Sequence, residues 1–170
     1  VAACATGKRD AIISVIHGLA AGEERALLTV AVARTWGTFD PEGAVEWIKT
    51  AVPAGEVQDG MIDAVFSAFV RKDPVQAAEW ASQQTDERRR TNYVAAAVAE
   101  WAALDSASAE TWVNEQPEGG YLDGATYAIA AHFIERRLLQ QAFAWTRRIM
   151  RNEARAALLG NLGRIWNTER

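Results

Sequence analysis

The side chains most often used for acid–base and nucleophilic catalysis are sparse in this sequence. The two histidines are His17 and His132, and the one cysteine is Cys4. Neither histidine has a cysteine or a second histidine three or four residues away, which excludes a metal pair on one helix face. His132 stands between alanines and Phe133 and is expected to pack. No serine lies in a G-x-S-x-G motif. We therefore predict no catalytic residue, no cofactor and no metal, and we expect the protein not to be an enzyme.

Carboxylates and arginines are the other groups with a recognisable chemistry. Glu46 and Glu79 each precede a tryptophan and lie 33 residues apart. Paired carboxylates can perform acid–base catalysis, but this spacing favours solvated helix surface. The run 88–90 and the pair Arg147–Arg148 are arginines, whose planar fork suits carboxylates and phosphates. Gly119–Gly120 is interpreted as a turn, and Gly160 and Gly163 are predicted to lie inside a helix without the Lys-Ser/Thr of a phosphate-binding loop.

Charge and composition limit the classes of partner. Of 170 residues, 49% are apolar and 24% are charged, as in an ordinary globular protein. Residues 1–133 contain nineteen Asp/Glu and ten Lys/Arg, whereas residues 134–170 contain three Glu and eight Arg. The net charge of −4 disfavours nucleic acid as a partner. Neither a membrane span nor a signal peptide is apparent. We expect a soluble protein, cytoplasmic if no signal sequence has been removed; its compartment is otherwise unknown.

The elements that position these groups are indicated by a repeat of 32 or 33 residues. Two aromatic series hold all seven tryptophans, and an alanine precedes each member of the second series by three residues. The first series is Trp36, Phe69, Trp101, Phe133 and Trp166, and the second is Trp47, Trp80, Trp112 and Trp145. Aromatic residues at helical spacing usually form a core. We therefore interpret all the tryptophans as structural and none as functional.

Each repeat is predicted to contain two helices. Asp40–Pro41 and Asp73–Pro74 provide an N-cap followed by a favoured first helical residue, and Asp105 stands at the same position one repeat later. The first helices are predicted over 40–51, 73–84, 105–116 and 137–150, after a helix over 8–19. A second helix in each repeat carries the first aromatic series. No segment alternates with the period of a strand.

The unit length and the Asp-Pro-x-x-Ala-x-x-Trp pattern resemble tetratricopeptide-like or HEAT-like bacterial α-helical repeats. The Leu-Gly of the tetratricopeptide motif W-x2-L-G does not follow these tryptophans. The resemblance implies an all-α, right-handed α-solenoid forming a single domain, 1–170, of about five helix–turn–helix repeats. Their predicted ranges are 7–39, 40–72, 73–104, 105–136 and 137–170.

The resemblance also implies a concave groove, lined by the first helices, that binds proteins or peptides. The helical phase opposite the Ala–Trp stripe then selects the partner-binding candidates, which are Glu46, Lys49, Glu79, Gln83, Thr111, Asn114, Arg147 and Arg148. The row becomes basic toward its end, which suits an extended peptide of opposite polarity. Two alternatives stay open. The chain could be a fragment or self-assembling unit of a longer solenoid, because its terminal helices lack polar caps. It could also be a helical-toroid enzyme.

Overall fold

A computed structural model describes residues 10–16, 18–20 and 22–168, so that Cys4 and His17 lie outside the described residues. The described part of the chain is helical and contains no strand. It divides into two compact units, here called unit 1, which ends at Lys72, and unit 2, which begins at Asp73. Within the same described residues, no helix is both long and apolar enough to cross a membrane.

Unit 1 contains a helical segment over residues 10–16 followed by three helices. These are α1 (Glu23–Gly37), α2 (Pro41–Ala51) and α3 (Glu56–Lys72). α1 packs against α2 and α3, with Ile48 and Val65 fully buried among them. Gly37 permits this approach, because a Cβ there would collide with the Val65 side chain.

Unit 2 contains six α-helices and one 3-10 turn over Gly120–Leu122 in its described residues. The helices are α4 (Pro74–Ser82), α5 (Glu87–Leu104), α6 (Ser106–Glu115), α7 (Asp123–Glu135), α8 (Leu139–Thr146) and α9 (Asn152–Thr168). α5 packs against α4, α6 and α7, and α7 packs against α6, α8 and α9. Val98 and Ile129 are fully buried in this core.

The aspartate N-caps predicted from the sequence are confirmed. In each case the carboxylate accepts a hydrogen bond from the backbone N–H three residues later, which satisfies a group that the first helical turn leaves unpaired. Asp40 accepts from Gly43 at 2.9 Å, Asp73 from Gln76 at 3.0 Å and Asp105 from Ser108 at 3.1 Å. The helices predicted over 40–51, 73–84 and 105–116 are therefore observed as α2, α4 and α6.

The helix predicted over 137–150 is wrong in length, because α8 covers only Leu139–Thr146. Its N-cap position is Leu138, which supplies no side-chain hydrogen bond, and Arg137 adopts a left-handed backbone with φ of 59°. The chain then leaves the helix, and Asp123 accepts hydrogen bonds from the backbone N–H groups of Met150 and Arg151, both at 2.8 Å. Arg147 and Arg148 consequently follow α8 instead of lying within it.

The aromatic series mostly form the core, as predicted. Trp36, Trp47, Trp101 and Trp145 are buried, and the rings of Trp36 and Trp47 lie 5.8 Å apart in unit 1. Trp101 and Trp112 form the equivalent pair in unit 2, at 6.1 Å. The predicted core position is wrong for Trp166, which is 55% exposed.

Candidate functional site

The end of α8 holds an arginine in a fixed position. The guanidinium of Arg148 lies 4.1 Å from the centre of the Trp145 ring, where the ring's negative face attracts a cation. Its Nη1 donates to Oδ1 of Asn114 on α6 at 2.7 Å. Trp145 is itself oriented, since its Nε1 donates to Oε2 of Glu110 on α6 at 2.7 Å. Two residues of α6 thus position the indole and the guanidinium.

Arg148 lines a cleft of about 550 Å³, here called the Arg148 cleft. Apolar side chains cover part of its wall, and the polar side chains are Arg148, a threonine and two carboxylates. The lining residues are Val113, Glu118, Gly119, Leu122, Asp123, Thr126, Arg148 and Met150. A guanidinium carries five N–H donors, and the bond to Asn114 uses one, so the cleft can receive a group that accepts hydrogen bonds.

Asp123 lines this cleft and is 3% exposed. Besides accepting from Met150 and Arg151, its carboxylate lies 3.5 Å from Nε of Arg151. A buried carboxylate needs such partners because its charge is otherwise costly. Asp123 is therefore committed to holding residues 147–151 against the start of α7, which fixes the backbone that carries Arg148.

The start of α6 is fixed by a second carboxylate. The hydroxyl of Ser108 donates to Oδ2 of Asp105 at 2.6 Å, and its backbone N–H donates to Oδ1. These two bonds favour the charged carboxylate, and they lower the pKa of Asp105 from its ordinary value. The helix that supplies Glu110 and Asn114 therefore begins at an N-cap with two hydrogen bonds.

The eight predicted partner-binding residues are all exposed. In unit 1, Glu46 and Lys49 form an exposed ion pair at 2.7 Å. In unit 2, the structure brings Asn114 and Arg148 together, and it places Arg147 with its guanidinium 5.9 Å from the Phe143 ring. The other three are Glu79 on α4, Gln83 at the C-cap of α4, and Thr111, whose hydroxyl bonds to its own helix.

The remaining candidates for chemistry are placed as follows. His132 is half-buried against Phe133, with ring centres 5.6 Å apart. Arg90 lies with its guanidinium 4.6 Å from the Tyr121 ring, and its buried Nε has no hydrogen-bond partner. Among the described residues, no group of three or more His, Cys, Asp or Glu side chains is arranged to hold a metal ion.

Sequence reasoning missed Glu110 and Asp123. Glu110 had a signal, because the corresponding positions one repeat away are Ala78 and Phe143, which are apolar. A charged residue at an otherwise apolar position indicates a specific partner, here the Trp145 indole. Asp123 had no comparable signal, since an acidic residue is ordinary in the first turn of a helix.

Comparison of the chain with protein-family models, with curated proteins and with solved structures finds no match.

Proposed function

We propose that this protein is a binding scaffold whose Arg148 cleft receives an acidic segment of a partner protein or peptide. The observation that carries the proposal is the positioning of Arg148 by Asn114 and Trp145 at a cleft of about 550 Å³. The repeat pattern supports a right-handed α-solenoid of about five tetratricopeptide-like or HEAT-like units as the framework. In this proposal the scaffold binds and does not catalyse.

A carboxylate is the group that Arg148 suits best. Two parallel N–H···O bonds from a guanidinium to a carboxylate are stronger and more directional than bonds between neutral groups. Because Trp145 and Asn114 already hold the guanidinium, less side-chain entropy is lost when a ligand binds. An aspartate or glutamate of the partner would pair with Arg148, and an adjacent aliphatic side chain would contact Val113, Leu122 and Met150.

The test selects binders from a displayed library of random peptides and measures their affinities by fluorescence anisotropy. We expect enrichment of Asp or Glu beside an aliphatic residue. Arg148→Ala should weaken binding at least about tenfold, a free-energy loss of about 1.4 kcal/mol. Arg148→Lys should also weaken it, because lysine lacks the planar fork.

The matched control is Arg164→Ala, which removes the same charge from an exposed position of α9 that does not line the cleft. The Arg164→Ala variant should bind the selected peptides with an affinity close to that of the unmodified chain. Circular dichroism should show equal helix content in all variants. A selection without binders, or equal losses for Arg148→Ala and Arg164→Ala, would contradict the proposal.

A further inference from the structure

The last two helices expose an apolar groove that the Arg148 cleft does not include. This terminal groove has a volume of about 340 Å³ and lies between α8 and α9. It is lined by Leu139, Gln140, Phe143, Leu159, Leu162, Gly163 and Trp166. Phe143 is 48% exposed and Trp166 55% exposed, which is unusual for aromatic side chains of this size.

The repeat shows what normally covers these positions. The four earlier members of the Trp166 series, which are Trp36, Phe69, Trp101 and Phe133, are only 5 to 8% exposed. Phe143 corresponds to Glu110, which contacts Trp145 of the following helix pair. The terminal groove is thus the surface that an earlier helix pair of unit 2 presents to its successor.

A complementary surface lies in unit 1. A shallow apolar pocket of about 300 Å³ lies between α1 and α3 and is here called the Leu27 patch. It is lined by Ala26, Leu27, Val30, Val57, Gly60 and Met61. Leu27 is 63% and Val57 64% exposed.

The repeat position of Leu27 indicates what this patch would pack against. Leu27 stands nine residues before Trp36, as Gly124 stands nine before Phe133. Gly124 faces the preceding helix pair, since a Cβ built on it would lie 2.7 Å from Ala95. Leu27 therefore corresponds to a position, Gly124, that within unit 2 faces the preceding helix pair.

The charges around the two surfaces are opposite. Arg147 lies against the Phe143 ring, and α9 carries the exposed Arg164 beside Gly163 of the groove. At the starts of the two helices that form the Leu27 patch, the carboxylates Glu24, Glu56 and Asp59 outnumber the arginine Arg25, so the patch is acidic on balance. The other basic residues of these helices, Arg34, Arg71 and Lys72, lie in their last turns. Two terminal grooves facing each other would bring arginines together, whereas a groove facing a Leu27 patch pairs opposite signs.

We propose that the terminal groove binds the Leu27 patch of a second copy of this chain, in a head-to-tail contact that continues the packing of successive helix pairs. Such a contact is heterologous, so each dimer keeps one unused groove and one unused patch and can add further copies. Burial of Trp166, Phe143, Leu27 and Val57 supplies the apolar contribution. The opposite charges select this orientation over a symmetric one.

The test is complementation between two variants, followed by sedimentation velocity over a range of concentrations. Trp166→Glu disables the groove and leaves the patch, whereas Leu27→Glu disables the patch and leaves the groove. We expect the unmodified chain to exceed its monomer mass of 18.6 kDa as concentration rises. Each variant alone should stay monomeric, and an equimolar mixture should form a dimer that grows no further.

The control is Leu104→Glu, which introduces the same charge at a leucine that is 78% exposed and lines neither surface. It should associate like the unmodified chain, and circular dichroism should show that all three variants are folded. A strictly monomeric unmodified chain at high concentration would overturn the proposal. A mixture of the two variants that stays monomeric would overturn it as well, because that result would exclude the groove-to-patch contact.

Discussion

At the scale of single residues, the protonation of Asp105 makes the stability of the folded chain at the start of α6 depend on pH. Its pKa is lowered first by the Ser108 hydroxyl and then by the Ser108 backbone N–H. The folded chain therefore binds this proton more weakly than the unfolded chain does. The resulting stabilisation is complete above the pKa of the unfolded chain, and it is lost as the pH falls through the lower pKa of the folded chain.

Ser108→Ala should raise the pKa of Asp105 toward the ordinary aspartate value, because it removes the largest cause of the shift. The carboxyl carbon of Asp105, followed by NMR during an acid titration, measures this directly. Ser82→Ala is the matched control, since the Ser82 hydroxyl donates to a backbone carbonyl and to no carboxylate. An unchanged pKa in Ser108→Ala would contradict the assignment.

Residue identities at the candidate site were only partly predictable. Asn114 and Arg148 follow from the helical phase, and the structure brings them together. Their contact depends on α8 ending at Thr146. That helix end depends in turn on the hydrogen bonds that Asp123 accepts from the backbone N–H groups of Met150 and Arg151. A contact between residues 27 positions apart leaves no periodic trace in the sequence.

At the scale of elements, the approach of α5 and α7 depends on Gly124. A Cβ at this position would lie 2.7 Å from Cβ of Ala95, closer than such atoms pack. Gly124→Ala should therefore separate the two helices and reduce the free energy of unfolding by about 1–2 kcal/mol. Chemical denaturation followed by circular dichroism measures the change.

Gly160→Ala, within α9, should change the free energy of unfolding in the opposite direction. Nothing lies within 4 Å of a Cβ built there, so the substitution introduces no collision. Alanine is a better helix former than glycine by about 0.8–1.0 kcal/mol, and the free energy of unfolding should increase. If both substitutions changed stability in the same direction, the close approach at Gly124 would not be the controlling contact.

Helix boundaries were predictable where capping chemistry is strong. Asp40–Pro41 and Asp73–Pro74 mark the starts of α2 and α4 because the cap and the missing proline N–H act locally. The fourth pair of the series begins at Leu138 without such a cap, and there the predicted helix was too long. Where a helix end has no local capping residue, long-range hydrogen bonds determine where the helix stops.

At the scale of the whole molecule, the uneven charge makes recognition dependent on salt. Residues 134–170 carry eight arginines and three glutamates, and they contribute Arg148 and Met150 to the Arg148 cleft. The other lining residues, with the carboxylates Glu118 and Asp123, belong to the acidic part of the chain, so Arg148 is the cationic group of the cleft that attracts an acidic partner. The distance over which charges act falls from about 30 Å at 0.01 M ionic strength to about 3 Å at 1 M.

Binding of an acidic peptide selected for the Arg148 cleft should therefore weaken steadily as salt is added, mainly through slower association. Stopped-flow measurements at several salt concentrations separate the association and dissociation rates. A matched peptide with Asp and Glu replaced by Asn and Gln should show little salt dependence. An association rate for the acidic peptide that is unaffected by salt would contradict charge-assisted encounter.

The packing of the molecule was predictable where the aromatic series repeat, and not at the end of the chain. The four earlier members of the Trp166 series are buried, and sequence periodicity predicts burial at all five positions alike. Periodicity alone therefore assigned Trp166 to the core. The exposure of Trp166 depends on which side chains pack against it, and the repeat motif does not encode those contacts.

The hydrogen bonds accepted by Asp123 have a further consequence for local opening of the fold. The amides of Met150 and Arg151 precede α9 and depend for their protection on a carboxylate that belongs to α7. Their hydrogen–deuterium exchange therefore reports whether α7 and the segment before α9 are docked, independently of fraying within either helix. Faster exchange at these two amides would therefore show that the backbone segment that carries Arg148 has separated from α7.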